Sequence, residues 1–530
     1  MTKHSLTTIT ISKQKQVTNI NKKTSKMIKQ ALLILAIALT YFNPSWAQKK
    51  TISNVVSIQL KNIGPILTES EVTGYYLFYQ TDKLSKKAYS YEFEILDQNL
   101  NQLSSIMIQG SKYMSLVDAV YNNHSLLLKL YDAKNKEVSF TQYDNKAKEI
   151  SKTVRKASSI EIMAIDQADQ NKQGQNVSMF PINKVGFVDY QSKKNKKYGY
   201  FIDFYPSHKD GKKWRVSSDP KSKTHEFPTF IYGDENIIIN SVMKKSSIMS
   251  KSVGMSLLAI NTKTGEKMYE KVFTDSNYET LVLNGLEGDK DGNVYLFGNY
   301  YPKGKNELSS PSLGLFAAKL DNKGNVIEKS FISWAEDVSK FVDVNEKGKM
   351  KNVGYIFFHD FVRNADGNVF AIGEQYKKQI NVTTTDMVVE DIIIFELNKD
   401  HQLQKVNIVG KEKSRINLPQ GMWINGAQIL SYYLKYIGGF DYEFIQFNKD
   451  RSIFSVGYVD YVKVKGAANK YSYGSITYTD GQPTEDAVDL MTVKEKKKIK
   501  VLPAKIGNIV ILEYLPKEKS LKMRMEKLNY

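Results

Sequence analysis

Two segments hold the residue types from which a binding pocket could be built. The first is FISWAEDVSKF, residues 331–341, and the second is GYIFFHDFVRNADGN, residues 354–368. Together they supply Trp334, Glu336, Asp337, His359, Asp360 and Arg363. An indole, three carboxylates, an imidazole and a guanidinium can stack on, hydrogen-bond and charge-pair a polar ligand. The second segment reads as a strand. On simple alternation, His359 and Arg363 share one face and Asp360 lies on the other. A purely structural alternative stands beside this: Asp360 pairs with Arg363 or caps a turn, and Trp334 packs between neighbouring sheets.

Other chemistries find little support. Beyond residue 47 the histidines are His124, His208, His225, His359 and His401, and no two have metal-binding spacing. With no cysteine in the chain, neither a zinc site nor any other metal or cofactor is expected. DKDGN, residues 289–293, begins like a calcium loop, but Tyr300 stands where the bidentate glutamate belongs, so a plain turn is expected. SHKDGKKW, residues 207–214, resembles a degraded Asp box of sialidase propellers. Ser207, Gly211 and Trp214 match, while the aspartate falls one place late, at Asp210. An Asp box is a folding device, and the sialidase Arg-Ile-Pro segment is missing. No Gly-x-Ser-x-Gly elbow or phosphate-binding glycine loop occurs. A carboxylate pair for glycoside hydrolysis is not legible from spacing, because the fold sets its separation.

The elements that must position these residues repeat. KDGNVYLFGN, residues 290–299, returns as ADGNVFAIGE, residues 365–374. Each copy is followed by a loop, a second strand, a tight polar turn and a third strand. Asp, Asn and Gly populate the turns, where they tolerate left-handed backbone and cap their own chain. The same grammar places middle strands at residues 74–81, 125–132, 184–191, 236–243, 427–434 and 508–515. With the two quoted copies, that makes eight. Runs of β-branched and aromatic residues mark them as strands, and no amphipathic helix is expected after residue 47. Measured from the turn at Asp97 to that at Asn448, the period is about 59 residues, the signature of a β-propeller.

The fold expected is therefore all-β, a propeller of eight blades, with seven as the alternative count. Paired sandwich domains are the other architecture. The final unit ends at Tyr530 without an outermost strand, and residues 51–60, TISNVVSIQL, form a strand with no blade of their own. The N-terminal strand is thus expected to complete the last blade and close the ring. The template fits residues 460–506 poorly.

ALLILAIAL, residues 31–39, follows Lys26 and Lys29 and precedes small residues at Ser45 and Ala47. This reads as a signal peptide, residues 1–47, with Met27 the expected true start. Residues 48–530 then form a single propeller domain, periplasmic or extracellular. No apolar stretch reaches the length of a membrane span. Removing residues 1–47 takes away seven lysines and no acid, so the formal net charge falls from +19 to +12. Only six arginines occur, and an exported, lysine-rich chain is not expected to bind nucleic acid. The lysine runs at 193–197 and 494–500 read as solvated loops, with anionic glycan or lipid headgroups as weaker partners.

The stretch from LFAAKLDNKGNVIEKSFISWAEDVSKF through GYIFFHDFVRNADGNVFAIGEQY resembles uncharacterised secreted propeller-like proteins of Bacteroidetes-type bacteria, most clearly over residues 280–410. That resemblance implies export and a repeat fold, and it assigns no catalytic residue. The leading functional expectation is a non-enzymatic propeller binding a protein or glycan at its channel face. The alternatives are a glycan-acting hydrolase with channel carboxylates and a structural component of a cell-envelope assembly.

Overall fold

A computed structural model describes residues 48–529, apart from 60, 61, 69, 87, 171–177, 195, 196, 249, 251, 252, 274, 288–291, 307, 309, 382, 383, 464, 465 and 467. The expected signal peptide, and most of the DKDGN turn, lie outside the described residues.

Eight antiparallel sheets follow one another along the chain. Blade 1 comprises Ile63–Thr68, Glu71–Lys83, Ala88–Asp97 and Gln102–Ser111. Blade 2 comprises Met114–Tyr121, Leu126–Asp132, Glu137–Tyr143 and Glu149–Lys156. Blade 3 comprises Met179–Ile182, Gly186–Lys194, Tyr198–Pro206 and Trp214–Ser217, and blade 4 His225–Gly233, Ile237–Lys245, Gly254–Asn261 and Lys267–Val272. Blade 5 runs through Tyr278–Glu287, Val294–Pro302, Gly314–Leu320 and Val326–Ser333. Blade 6 has Tyr355–Arg363, Val369–Ile380, Thr385–Leu397 and Leu403–Val409, with Ser414–Asn417 added against its third strand. Blade 7 has Tyr442–Phe447, Ile453–Val462, Lys470–Thr479 and Gln482–Thr492. Blade 8 has Lys498–Pro503, Asn508–Leu515 and Ser520–Lys527, completed by Lys49–Ile52.

The expected closure is present, with shorter bounds. Lys49 pairs Arg524 and Ile52 pairs Leu521. The rest of the expected strand, residues 53–59, leaves the sheet as a strap. Val55 and Ile58 bury into a cluster shared by Tyr75 and Leu77 of blade 1 and Val510 and Leu512 of blade 8. Seven further apolar clusters fill the other seams in order, from Phe93 with Leu128 between blades 1 and 2 to Tyr473 with Ile511 between blades 7 and 8. Eight seams for eight blades make a closed ring. A single four-stranded sheet cannot bury both faces, so each blade depends on its neighbours.

Two helices correct the strand-only expectation. Helix α1 (Ser159–Gln170) begins where the Ser158 hydroxyl accepts the Glu161 N–H at 3.2 Å. Ion pairs tie it to blades 2 and 3, from Arg155 to Glu161 at 2.7 Å and from buried Lys129 to Glu161 and Asp189 at 3.2 and 2.8 Å. Helix α2 (Ala427–Tyr436) occupies the segment expected to be a middle strand. Ala427, Leu430, Ser431 and Leu434 fall at helical spacing and turn onto Tyr376, Met387 and Phe440, while Tyr432 and Tyr436 are exposed. Its Ile and Tyr content imitates a strand, but the period decides. The error shifted the frame in blade 7: the Asn448 turn joins the first and second strands, and residues 470–492, where the template failed, are the third and fourth.

Strand directions sort the connections. The links between blades and the turns joining second to third strands lie on one face of the ring, called here the link face. The remaining turns lie on the opposite one. Helix α2, residues 334–354 and the start of every innermost strand belong to the link face.

Candidate functional site

The innermost strands line the channel, and five of them carry a β-bulge. One residue at each bulge has no partner across the ladder and is re-aimed toward the next blade. In blades 2, 4 and 5 that residue is Val117, Ile231 or Leu283, each packed in the following apolar seam. In blades 6 and 7 it is His359 or Glu443. The same backbone device that seals three seams with hydrocarbon therefore presents two titratable groups at adjacent seams.

The His359 side chain is fully buried. Its ring stacks on Tyr442 with centroids 4.8 Å apart and planes 11° apart, and Phe440 meets its edge. Nδ1 lies 3.3 Å from Lys435 Nζ, which can only donate, so Nδ1 accepts and Nε2 carries the proton. Nε2 lies 3.3 Å from Glu374 Oε2 but makes no hydrogen bond to it. Burial first, and Lys435 second, hold the imidazole well below its usual pKa, and it is neutral at pH 7.

Beneath it lies an ionic floor. Glu374, in the second strand of blade 6, is fully buried and accepts the backbone N–H groups of Asp441 and Tyr442 at 3.2 Å. Lys411, from the link after blade 6, places Nζ 3.2 Å from Glu374 and 2.5 Å from Asp441. Ser414 donates to Asp441 at 3.0 Å. Two carboxylates on one buried ammonium leave a surplus negative charge. Burial answers by raising both carboxyls, Asp441 to about 6, while the two anions, against the pull of burial, keep Lys411 charged. This floor fixes where the inner strand of blade 7 begins.

Above the floor the groups reach solvent. Tyr442 donates its hydroxyl to Asp360 Oδ2 at 2.5 Å. Glu443 is exposed on the inner strand of blade 7, and partial burial there pushes its carboxyl up to about 7, with Lys500 opposing and Asp441 adding. Lys500, on the inner strand of blade 8, is pulled down to about 8 by burial, with Glu443 opposing, and donates to the Ile63 carbonyl of blade 1 at 2.9 Å. Lys435 is likewise lowered by burial. The channel mouth thus joins an acid and a base that change charge near neutral pH to fixed hydrogen-bonding partners.

The six residues anticipated from the sequence divide. His359 and Asp360 come together on Tyr442, because the bulge cancels the alternation that would have separated them. Arg363 does not share a face with His359; its guanidinium lies 5.3 Å over the Tyr295 ring of blade 5, at the opposite end of the strand. Trp334 is a core residue between blades 5 and 6, stacked on Phe358 and donating Nε1 to Ser312 at 3.1 Å. Asp337 accepts the Ser333 N–H at 2.8 Å and so closes a turn, and exposed Glu336 lies in that turn. Sequence reasoning missed Lys435, Tyr442, Glu443, Glu374, Lys411 and Asp441. Lys500 fell inside a noted lysine run, where only its place on an inner strand marked it. Among the described residues no group of three or more His, Asp and Glu could hold a metal ion, and no helix is long and apolar enough to cross a membrane.

The model of a family described as a family of unknown function (DUF6770) matches residues 27–529. No curated protein matches the chain by sequence. Similar solved structures include the β-propeller domain of the Trilobed protease from Pyrococcus furiosus, at 10% identity and a TM-score of 0.36, covering 82% of this chain and 99% of that one. Prolyl oligopeptidase B from Galerina marginata is similar at 9% identity and a TM-score of 0.38, covering 88% of this chain and 55% of that one. A polysaccharide lyase of family PL25, an ulvan lyase, is similar at 9% identity and a TM-score of 0.34, covering 91% and 96%. Likenesses of this size carry no argument about activity, and the propeller fold rests on the eight sheets themselves.

Proposed function

The chain belongs to the family of unknown function DUF6770, and from that premise we propose that it is an exported propeller, periplasmic or extracellular, that binds a glycan at the channel mouth of blades 6 to 8. The observation that carries this is the pair of bulged positions, His359 and Glu443, where the matching bulges of blades 2, 4 and 5 carry hydrocarbon. A sugar presents many hydroxyls and little charge. The mouth answers with acceptors on Asp360 and Glu443 and donors on Lys435 and Lys500. Rigid strands and the buried ionic floor hold these groups in place, so little ordering is needed on binding.

A second reading rests on Glu443 alone. An accessible carboxyl that is half protonated near pH 7 is the state required of a general acid in glycoside hydrolysis, with Asp360 as the second carboxylate. One experiment separates the two. Incubate the chain with an array of bacterial and plant oligosaccharides, and record both retention and product release by chromatography. Retention without new products supports binding. Products that disappear in Glu443→Gln while retention persists support hydrolysis. Neither retention nor products from any glycan would overturn both.

A further inference from the structure

A second concave site lies on the link face at the seam of blades 3 and 4, away from the inner strands of blades 6 to 8. Its cavity of about 550 Å³ is formed by Lys193, residues 197–199 and the link through residues 218–224. Four lysines edge it: Lys193, Lys197, Lys221 and Lys223. Lys193 lies 4.9 Å over the Phe201 ring, and Lys197 donates to the Ser246 carbonyl at 2.7 Å. Among the described residues none of the four is in ion-pair range of a carboxylate. The one acid in the lining, Asp219, turns Oδ1 to the Lys221 backbone N–H at 2.8 Å and so shapes the loop. Glu226 is buried behind the link, where the Ser222 hydroxyl donates to it at 2.8 Å.

Aromatic surface adjoins these cations. Tyr198, in the wall, lies 5.5 Å from the His225 ring and 6.3 Å from Phe227, which is 38% exposed. Lys194 sits 5.6 Å over Tyr198. A hollow with cations at its rim and an aromatic face in its wall suits a pyranose ring that carries acidic substituents. The ring's C–H face stacks and its anions meet the ammonium groups. A bilayer needs a projecting surface rather than a hollow. No arginine lines the cavity to grip a phosphate in bidentate fashion.

We propose that this cavity is a binding site for an acidic polysaccharide, one bearing sulfate or carboxylate groups. It is independent of the channel mouth and of what that site binds.

The test is calorimetric titration of the full chain with sulfated dextran oligosaccharide and oligogalacturonate. Neutral dextran, inorganic sulfate and phosphatidylserine vesicles serve as comparison ligands. Two triple variants are used: Lys193→Gln/Lys221→Gln/Lys223→Gln in the cavity, and Lys146→Gln/Lys323→Gln/Lys399→Gln in exposed turns of the opposite face. At least one acidic oligosaccharide should bind and neutral dextran should not. The cavity triple should weaken that binding roughly tenfold, and the distant triple less than about twofold. Tyr198→Ala should weaken the oligosaccharide more than inorganic sulfate. Equal losses in the two triples would reduce the effect to net charge and overturn the site. Binding to vesicles without binding to either acidic oligosaccharide would overturn the ligand class.

Discussion

Lys411→Met removes the one cation from a floor that holds two carboxylates. Lys411 and Glu374 have no side-chain exposure, and Asp441 has 18%. Removing one partner of a buried ion pair costs about 3–5 kcal/mol, because the remaining charge is left unpaired. Unfolding entropy near 2.1 cal/mol/K per residue, over roughly 480 residues, amounts to about 1 kcal/mol per degree. Lys411→Met should therefore lower Tm by about 3–5 °C at pH 8, read by differential scanning calorimetry. The pH dependence has a definite sign. Asp441 is already raised to about 6 from the usual ~3.9, and losing Lys411 raises it and Glu374 further. A raised carboxyl adds stability below its unfolded pKa and loses it as pH rises through its folded pKa. The Tm deficit should therefore shrink as pH falls from 8 to 5. Replacing Glu374 with Gln in the same chain should recover part of it. A deficit under about 1 °C at pH 8, or one that is the same at both pH values, would refute the assignment of this floor as a coupled ionic element.

Three further outcomes follow from named contacts. Trp334→Ala should cost about 3–5 kcal/mol by denaturant titration while leaving ligand affinity unchanged, since the indole is interblade core; a loss of affinity at unchanged stability would return Trp334 to the binding site. Val55→Asp puts a charge at a fully buried position of the strap, so hydrogen exchange should accelerate first in blades 8 and 1, and uniform exchange across the ring would deny the strap its closing role. Glu443→Gln should be more stable than the parent at pH 8 by a margin that shrinks as pH falls and is gone by about pH 4, because the raised Glu443 carboxyl loses its contribution as pH rises through about 7; parallel curves from urea titrations would contradict the raised value.

The ring was legible in the sequence because turns advertise themselves. Asp97, Asp321 and Asn398 each use a side-chain oxygen to accept backbone N–H groups two and four residues on, and the strands between such turns recur eight times, although one of the eight counted, residues 427–434, is a helix. Helix α2 was not legible as a helix, because its aromatic and branched content resembles a strand and only Leu430, Ser431 and Leu434 at helical spacing betray it. The site was legible in part. His359 and Asp360 stood out by type, but alternation separated them, and nothing in GYIFFHDFV announces a bulge. Glu443 and Lys500 lie 57 residues apart in the chain and meet only because successive inner strands are neighbours in the ring. Trp334 and Arg363 drew attention by rarity, yet each serves the seam between blades 5 and 6.

The measurement that bears most directly on the channel mouth is the affinity of the strongest glycan for three forms of the chain: unaltered, Asp360→Asn/Glu443→Gln, and Arg363→Gln. Hydrogen bonds to charged groups are worth about 1.5–3 kcal/mol each, so the double variant should bind at least tenfold more weakly with its melting transition retained. Arg363→Gln, at the far end of the strand, should stay within about twofold. An unchanged affinity in the double variant, or a tenfold loss in Arg363→Gln, would contradict a binding site at the mouth of blades 6 to 8.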